Sequence, residues 1–166
     1  AAVAERLKAA LDRGVKVRVI IDAKKNESTD KKGVFHESFP REDNLKTIKD
    51  AGIPKTAVLY REARTDVIQH NKFMVLLKGA AESPAEVWTG STNISSGGIF
   101  GQTNVGHWIR DAATAGMFRE YWYLLAGDPG SHEGEDASTV RKENAALRQG
   151  VEDLLAAGVT QPFGEA

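Results

Sequence analysis

A helix, a glycine turn and a strand follow one another in the first 22 residues, and this order restricts the fold more than any other feature. Apolar residues recur at helical spacing over residues 2–13, and Gly14 is a residue type that commonly ends a helix. Residues 15–22 read VKVRVIID, an alternating pattern rich in β-branched residues that is typical of a strand. Because helices joined to strands in this way pack against a sheet, the sequence predicts an α/β fold.

Further helices and strands are predicted along the rest of the chain. A short helix is predicted over residues 42–51, ended by Gly52, and a strand over residues 56–60. Further along, the pattern predicts a long buried strand over 66–79, its antiparallel partner over 87–95, a strand over 103–111, a helix over 112–125 and a last helix over 138–157.

Residues 23–43 form a polar loop that contains Lys24, Lys25, Lys31 and Lys32. A loop of this length in a compact domain is usually functional or disordered. It follows the carboxyl end of a strand, where open α/β sheets bind their ligands. Two interpretations stay open for the lysines: they are solvated surface charges, or they meet an anionic substrate.

Composition places the chain among ordinary globular proteins. Hydrophobic residues make up 41% and charged residues 27% of 166 residues, and no apolar run is long enough to suggest a membrane span. The start lacks an initiator Met and any signal-peptide pattern, which favours a soluble chain that begins inside a longer protein. There is no cysteine, so disulfides and thiolate zinc sites are excluded and the compartment stays unknown.

Two polar pairs stand out within the strand patterns. His70 and Lys72 are two residues apart in the predicted strand 66–79, so strand alternation places them on one face. Ser91 and Asn93 have the same spacing just after Gly90, which leaves room for a ligand to approach the backbone. If the two segments form a hairpin, the four polar side chains converge on one side.

This combination of side chains suits phosphodiester chemistry. The ammonium of Lys72 can neutralise non-bridging phosphate oxygens, and Ser91 and Asn93 can donate hydrogen bonds to them. A neutral His70 can attack phosphorus to form a covalent intermediate. A second histidine must protonate the leaving oxygen, because one residue cannot be nucleophile and acid in the same step. The chemistry requires neither a metal nor another cofactor.

The residues HNK at 70–72 and GSTN at 90–93 resemble the motif of the phospholipase D superfamily, which is His-x-Lys, an Asp five residues later, and then Gly-Ser/Gly-x-Asn. The resemblance also takes in GVKVRVIID before the motif and NVGHWIRD after it, so it spans about residues 1–125. It implies an α/β lobe with a mixed β-sheet flanked by helices on both faces. It further implies hydrolysis or transfer of a phosphodiester through a phosphohistidine on His70.

The chain departs from the superfamily pattern in three respects. Leu77 stands where the motif Asp is expected, and Gly106 stands where an Asn-x-Glu motif beginning at Asn104 would place its acid. His107 is a candidate to orient a catalytic group in place of that acid. Superfamily sites also use two His-x-Lys motifs, and this sequence has one. The resemblance therefore implies a second lobe, either from missing sequence or from a homodimer mate.

These observations predict three segments: a catalytic lobe over residues 1–126, an acidic linker over 127–137, and a C-terminal helix with its tail over 138–166. The substrate class stays open between phospholipids and nucleic acids, although a net charge of −1 is unlike the strongly basic footprint of a nucleic-acid binder. An alternative function is a degenerate lobe, without catalysis, that binds phosphate or scaffolds a catalytic partner lobe.

Overall fold

The computed structural model describes residues 2–62, 69–127 and 137–158 of the chain. These residues fall into two compact units, the first ending at His70 and the second beginning at Asn71. The helices are α1 (Ala2–Asp12), α2 (Arg41–Asp50), α3 (Ser96–Phe100), α4 (Ala112–Ala126) and α5 (Ala137–Gly158). The strands are β1 (Val19–Asp22), β2 (Ser28–Thr29), β3 (Phe35–His36), β4 (Val58–Arg61), β5 (Phe73–Lys78), β6 (Ser83–Gly90) and β7 (Gly106–Ile109).

The first unit is an α/β unit around a parallel strand pair. Strands β1 and β4 pair in register, with Val19 opposite Val58 and Asp22 opposite Arg61. Helices α1 and α2 cover this pair, and the buried core consists of Ala4, Ile48, Ile53, Ala57 and Val58. Burial of this shared apolar face holds the helices on the strands, as an amphipathic pattern requires.

A small hairpin, β2 with β3, occupies the middle of the polar loop 23–43. Its turn is built on Asp30, whose Oδ1 accepts from the backbone N–H groups of Lys32 (2.8 Å) and Val34 (2.9 Å). These two hydrogen bonds lower the pKa of the Asp30 carboxyl, with the bond from Val34 the larger cause. Gly33 adopts a φ of +80°, which a side chain would strain. The loop is thus an ordered element that hydrophobic patterning did not predict.

The second unit contains the antiparallel sheet β5–β6–β7. Met74, Trp88 and Trp108 lie opposite one another across the three strands. The register of β5 and β6 shifts between Leu76 and Leu77, where Pro84 enters the pairing. Proline is tolerated at such an irregularity because it has no N–H to donate.

Helix α4 packs against this sheet through an aromatic cluster. The ring of Phe73 lies 5.2 Å from that of Phe118 and 5.6 Å from that of Tyr121, measured between centroids. Asp111 caps the helix by accepting from the N–H of Thr114 at 2.7 Å. Helix α5 packs on α4, where a β-carbon at Gly150 would lie 2.8 Å from Cδ2 of Leu124.

The α/β class is confirmed, with parallel and antiparallel pairing distributed over three sheets. The long buried strand predicted over residues 66–79 is wrong in length and in burial. Strand β5 begins at Phe73, its residues alternate between half-buried and exposed, and residues 66–68 lie outside the described part of the chain. One face of the sheet packs on α4 and the other is not covered to the same extent, so a run of apolar residues here does not mean burial on both faces.

In the described residues 2–62, 69–127 and 137–158, we find no helix both long enough and apolar enough to cross a membrane.

Candidate functional site

Lys72 stands directly before β5 and is joined to the end of β6 through its backbone. Its carbonyl oxygen accepts from the N–H of Gly90 at 3.3 Å and from the hydroxyl of Thr89 at 3.2 Å. These bonds place Lys72 opposite Gly90, the residue that directly precedes Ser91. Partial burial lowers the pKa of the Lys72 ammonium, because desolvation disfavours its charged form.

Ser91 follows the last residue of β6 and is tied to the strand opposite. Its N–H donates to the carbonyl of Val105 at 2.9 Å, and its hydroxyl oxygen accepts from the N–H of Val105 at 3.1 Å. The same hydroxyl donates to Oδ1 of Asn104 at 3.1 Å. The serine is exposed to solvent, yet two hydrogen bonds hold its hydroxyl and a third holds its backbone N–H.

Asn104 organises the loop between β6 and β7. Its Nδ2 donates to the carbonyl of Gly98 at 2.8 Å and to Oε1 of Gln102 at 3.3 Å, while its Oδ1 accepts from Ser91. One carboxamide therefore holds both ends of the loop. The sequence places Asn104 at the start of an incomplete Asn-x-Glu motif, but it does not predict this role, because the contacts join residues six and thirteen positions away.

Asn93 lies on the loop that Asn104 holds. Its carbonyl oxygen accepts from the N–H of Ser95 at 2.8 Å, and Ser95 in turn caps α3 by accepting from the N–H of Gly98 at 3.0 Å. A β-carbon at Gly98 would lie 2.3 Å from the carbonyl oxygen of Asn93, so only glycine allows this close approach. The exposed Asn93 carboxamide makes no hydrogen bond within the described part of the chain.

Gly90 has a different function from the one predicted. The sequence suggests that it leaves room for a ligand, but the space where its side chain would lie is filled by the neighbouring strand. A β-carbon at Gly90 would stand 2.1 Å from the carbonyl oxygen of Val105 and 2.8 Å from the Cα of Gly106. Gly90 is therefore required for the close pairing of β6 with β7 rather than for ligand access.

His70 is the last residue of the first unit, whereas Lys72, Ser91 and Asn93 belong to the second. Residues 69–72 precede β5 and belong to no strand, so strand alternation does not establish that His70 and Lys72 share a face. The neighbouring Gln69 is bonded to Arg61: its Nε2 donates to the carbonyl of Arg61 at 3.0 Å and its Oε1 accepts from Arg61 Nη1 at 2.7 Å. His70 itself is exposed.

Two further positions bear on the departures from the motif. Leu77 is half-buried in β5 opposite Pro84. His107 lies in β7 directly opposite Thr89, whose hydroxyl donates to the carbonyl of Lys72. The second unit thus brings together the backbone of Lys72, the hydroxyl of Ser91 and the loop that carries Asn93.

Comparison with known proteins identifies a family. A family model described as "Cardiolipin synthase, PLD-like domain" matches residues 1–122, which is most of the chain. No curated protein and no solved structure matches the chain. The matched region includes both units as far as α4, and with them all four predicted site residues.

Proposed function

The chain belongs to the PLD-like domain family described for cardiolipin synthase, within the phospholipase D superfamily, and from this premise we propose that it is a phosphodiesterase lobe. In this proposal His70 is the nucleophile, and Lys72, Ser91 and Asn93 bind the phosphate. The lobe hydrolyses or transfers a phosphodiester through a phosphohistidine. A second His-x-Lys motif comes from another lobe or subunit.

The observation that carries the proposal is the hydrogen-bonded arrangement around Ser91. The N–H of Gly90 and the hydroxyl of Thr89 hold the carbonyl of Lys72 opposite Gly90, the residue before Ser91, and Asn104 holds the Ser91 hydroxyl. Groups that are held in place stabilise a transition state more than mobile ones, because less reorganisation is needed as charge develops. An ammonium, a fixed hydroxyl and an exposed carboxamide are the groups that a phosphoryl oxygen requires.

The reaction has two steps. In the first, a ring nitrogen of His70 forms a bond to phosphorus, the bond from phosphorus to the leaving oxygen breaks, and a second histidine gives that oxygen a proton. In the second, water or an alcohol attacks phosphorus, loses its proton to the second histidine, and releases His70. Lys72 offsets the negative charge of the non-bridging oxygens in both steps.

Turnover of bis-(para-nitrophenyl) phosphate in the presence of a chelator tests the proposal. We expect metal-independent release of nitrophenol that rises faster than linearly with protein concentration if a second copy supplies the second motif. His70→Ala should abolish it, while Lys49→Ala, on the exposed surface of α2, should leave it unchanged. Turnover that persists in His70→Ala would contradict the proposal.

A second candidate function is a degenerate lobe that binds phosphate without catalysis. Leu77 favours it, because an apolar residue paired with Pro84 cannot supply the carboxylate that the motif places there. Absence of turnover at every concentration, together with inorganic phosphate binding that Lys72→Met weakens, would support this second function over the first.

A further inference from the structure

The carboxyl ends of the two parallel strands in the first unit are joined by the side chain of Gln69. Asp22 ends β1, Arg61 ends β4, and the two residues lie opposite one another. The Nε2 of Gln69 donates to the Arg61 carbonyl at 3.0 Å and to Oδ1 of Asp22 at 3.4 Å. Its Oε1 accepts from Arg61 Nη1 at 2.7 Å. We refer to Asp22, Arg61 and Gln69 as the strand-end clamp.

The two partners of Gln69 are themselves fixed by further hydrogen bonds. The Arg61 carbonyl also accepts from the N–H of Ala23 at 3.0 Å. Oδ1 of Asp22 also accepts from the N–H of Lys24 at 3.0 Å, and the Asp22 carbonyl accepts from Nδ2 of Asn44, in α2, at 2.9 Å. The carboxamide of Gln69 is therefore attached to a frame that both strands and α2 share.

The clamp holds the backbone immediately before His70. Asp22, Arg61 and Gln69 are half-buried, whereas His70 is exposed. Regular strand pairing begins only at Phe73, so no ladder of β5 fixes the chain at residue 70. Three hydrogen bonds on one half-buried carboxamide restrict the conformations open to residue 69 and thereby to the Cα of the next residue.

We propose that Gln69 is a positioning residue for His70, and that Asp22 and Arg61 orient Gln69. This inference rests on the proposed function, in which His70 is the nucleophile. The nucleophile has to approach phosphorus in line with the leaving oxygen, and a misplacement of about 1 Å can cost about 100-fold in rate. Gln69 touches no reacting atom in this proposal and acts through the backbone that it shares with His70.

The place of the clamp in the fold agrees with this role. Open α/β sheets bind their ligands outside the carboxyl ends of their parallel strands. Asp22 and Arg61 stand at those ends of β1 and β4, and the clamp ties the attachment point of His70 to them. All four residues belong to the first unit, so the argument needs no contact with the second.

The variant Gln69→Met tests the inference with the whole chain. Methionine has a similar length and volume but offers no comparable hydrogen bonds, which favours retention of the fold. With bis-(para-nitrophenyl) phosphate we expect kcat to fall about 30- to 100-fold. We expect KM to change less than about twofold, because the phosphate-binding groups are untouched. Formation of phosphohistidine in a single turnover should slow by the same factor as kcat.

Gln149→Met is the matched control. Gln149 is exposed in α5, where its Nε2 donates to Asp153 of the same helix at 2.8 Å. This variant should keep the kcat and KM of the wild type. Circular dichroism and titration of active sites should give the folded and active fractions of every variant, so that rates are compared per active molecule.

Nuclear magnetic resonance relaxation of the His70 amide separates positioning from a purely structural role. Its order parameter should fall from about 0.85 in the wild type and Gln149→Met to below about 0.6 in Gln69→Met. A mutant cycle adds a second criterion. Arg61→Met alone should lower kcat, but should lower it little further when Gln69→Met is already present, because Arg61 acts through Gln69.

The outcomes distinguish this inference from the proposed function. Turnover that His70→Ala abolishes but Gln69→Met leaves at the wild-type rate would overturn the inference alone. So would a loss in Gln69→Met that a smaller active fraction explains, or an unchanged order parameter at His70. Turnover that persists in His70→Ala, or wild-type protein without turnover, would contradict the proposed function and the inference with it.

Discussion

The hydroxyl of Ser91 lies where it does because two neighbours hold it. It donates to Asn104 at 3.1 Å and accepts from the Val105 N–H at 3.1 Å, so its proton and one of its lone pairs are already engaged in hydrogen bonds. A further lone pair stays available, and the hydroxyl can redirect its proton to a phosphate oxygen only if Asn104 gives it up. We therefore expect Asn104 to set the affinity of the site as well as the shape of its loop.

Replacement of Asn104 tests this role. Asn104→Ala removes the donor to the Gly98 carbonyl and the acceptor for Ser91, and should lower the free energy of unfolding by about 1 to 2 kcal/mol. Inorganic phosphate binding should weaken about fivefold, the equivalent of roughly 1 kcal/mol, because loss of the contacts that position the Ser91 hydroxyl and the loop with Asn93 outweighs the release of the Ser91 proton. Urea denaturation and phosphorus NMR titration measure the two effects. The double variant Asn104→Ala/Ser91→Ala completes a mutant cycle. If its loss of phosphate-binding free energy equals the sum of the two single losses, the two residues do not act together.

The lowered pKa of Lys72 makes a prediction about pH. Burial disfavours the ammonium, so Lys72 loses its proton at a lower pH than an ordinary lysine with a pKa of 10.5. Phosphate affinity should therefore fall as the pH rises through this lowered pKa, because the neutral amine no longer attracts the anion. In Lys72→Arg the guanidinium keeps its charge over this pH range.

Affinity measured between neutral and alkaline pH distinguishes the two proteins. The wild type should lose binding before the pH reaches the ordinary lysine range, and Lys72→Arg should keep a flat profile. The effect of pH on folding stability has the opposite sign. Burial of the charged ammonium destabilises the fold below the lowered pKa, and this destabilisation decreases as the pH rises towards 10.5, the pKa of an ordinary lysine. Identical binding profiles for both proteins would exclude Lys72 as the group that binds phosphate.

Among the elements, β6 and β7 depend on a glycine at their closest approach. Gly90→Ala would place a β-carbon 2.1 Å from the carbonyl oxygen of Val105. The strands would have to separate, and we expect a loss of about 2 kcal/mol in unfolding free energy. Since Ser91 pairs with Val105, phosphate binding should fall as well.

Gly116→Ala is the matched control for this substitution. A β-carbon at Gly116, within α4, meets no atom within 4 Å, so alanine should stabilise the helix by up to about 1 kcal/mol. Thermal denaturation compares the two variants. Equal stability of Gly90→Ala and the wild type would mean that β7 does not pair with β6 as described.

The sequence predicts elements well where a local pattern determines them. Helices α1 and α4 and strand β4 fall within a few residues of their predicted positions, because an amphipathic or β-branched run determines them. The hairpin β2–β3 was not predicted, since its turn rests on side-chain hydrogen bonds of Asp30 and not on hydrophobic spacing. Strand β5 begins at Phe73, later than the pattern predicts, and the side chain of Gln69 before it bonds to Arg61.

The candidate site was predictable to a more limited degree. Residue types and their order predict Lys72, Ser91 and Asn93 as site residues, and all three belong to one unit of the structure. Contacts between residues far apart in sequence do not follow from a pattern, so neither the role of Asn104 nor the packing role of Gly90 could be predicted. The need for a second histidine stays a prediction, since the sequence contains one His-x-Lys motif.

At the scale of the whole molecule, the family match over residues 1–122 takes in α1 to α4 and leaves α5 outside. Helix α5 packs on α4 through Gly150 and Leu124. Gly150→Leu should therefore weaken this packing and lower the thermal midpoint, because a side chain there meets Leu124. If α5 has no part in catalysis, turnover by Gly150→Leu, measured well below its thermal midpoint, should equal that of the wild type. A loss of turnover at such a temperature would show that the active protein needs α5 in place.

Detection of the covalent intermediate on His70 tests the central claim most directly. The protein is incubated with bis-(para-nitrophenyl) phosphate, quenched at alkaline pH to preserve a phosphorus–nitrogen bond, and analysed by mass spectrometry of its peptides. We expect one nitrophenyl phosphoryl group on the peptide that contains His70, absent from His70→Asn and reduced in Lys72→Met. Turnover without any group on His70, or with the group on another residue, would contradict the assignment of His70 as nucleophile.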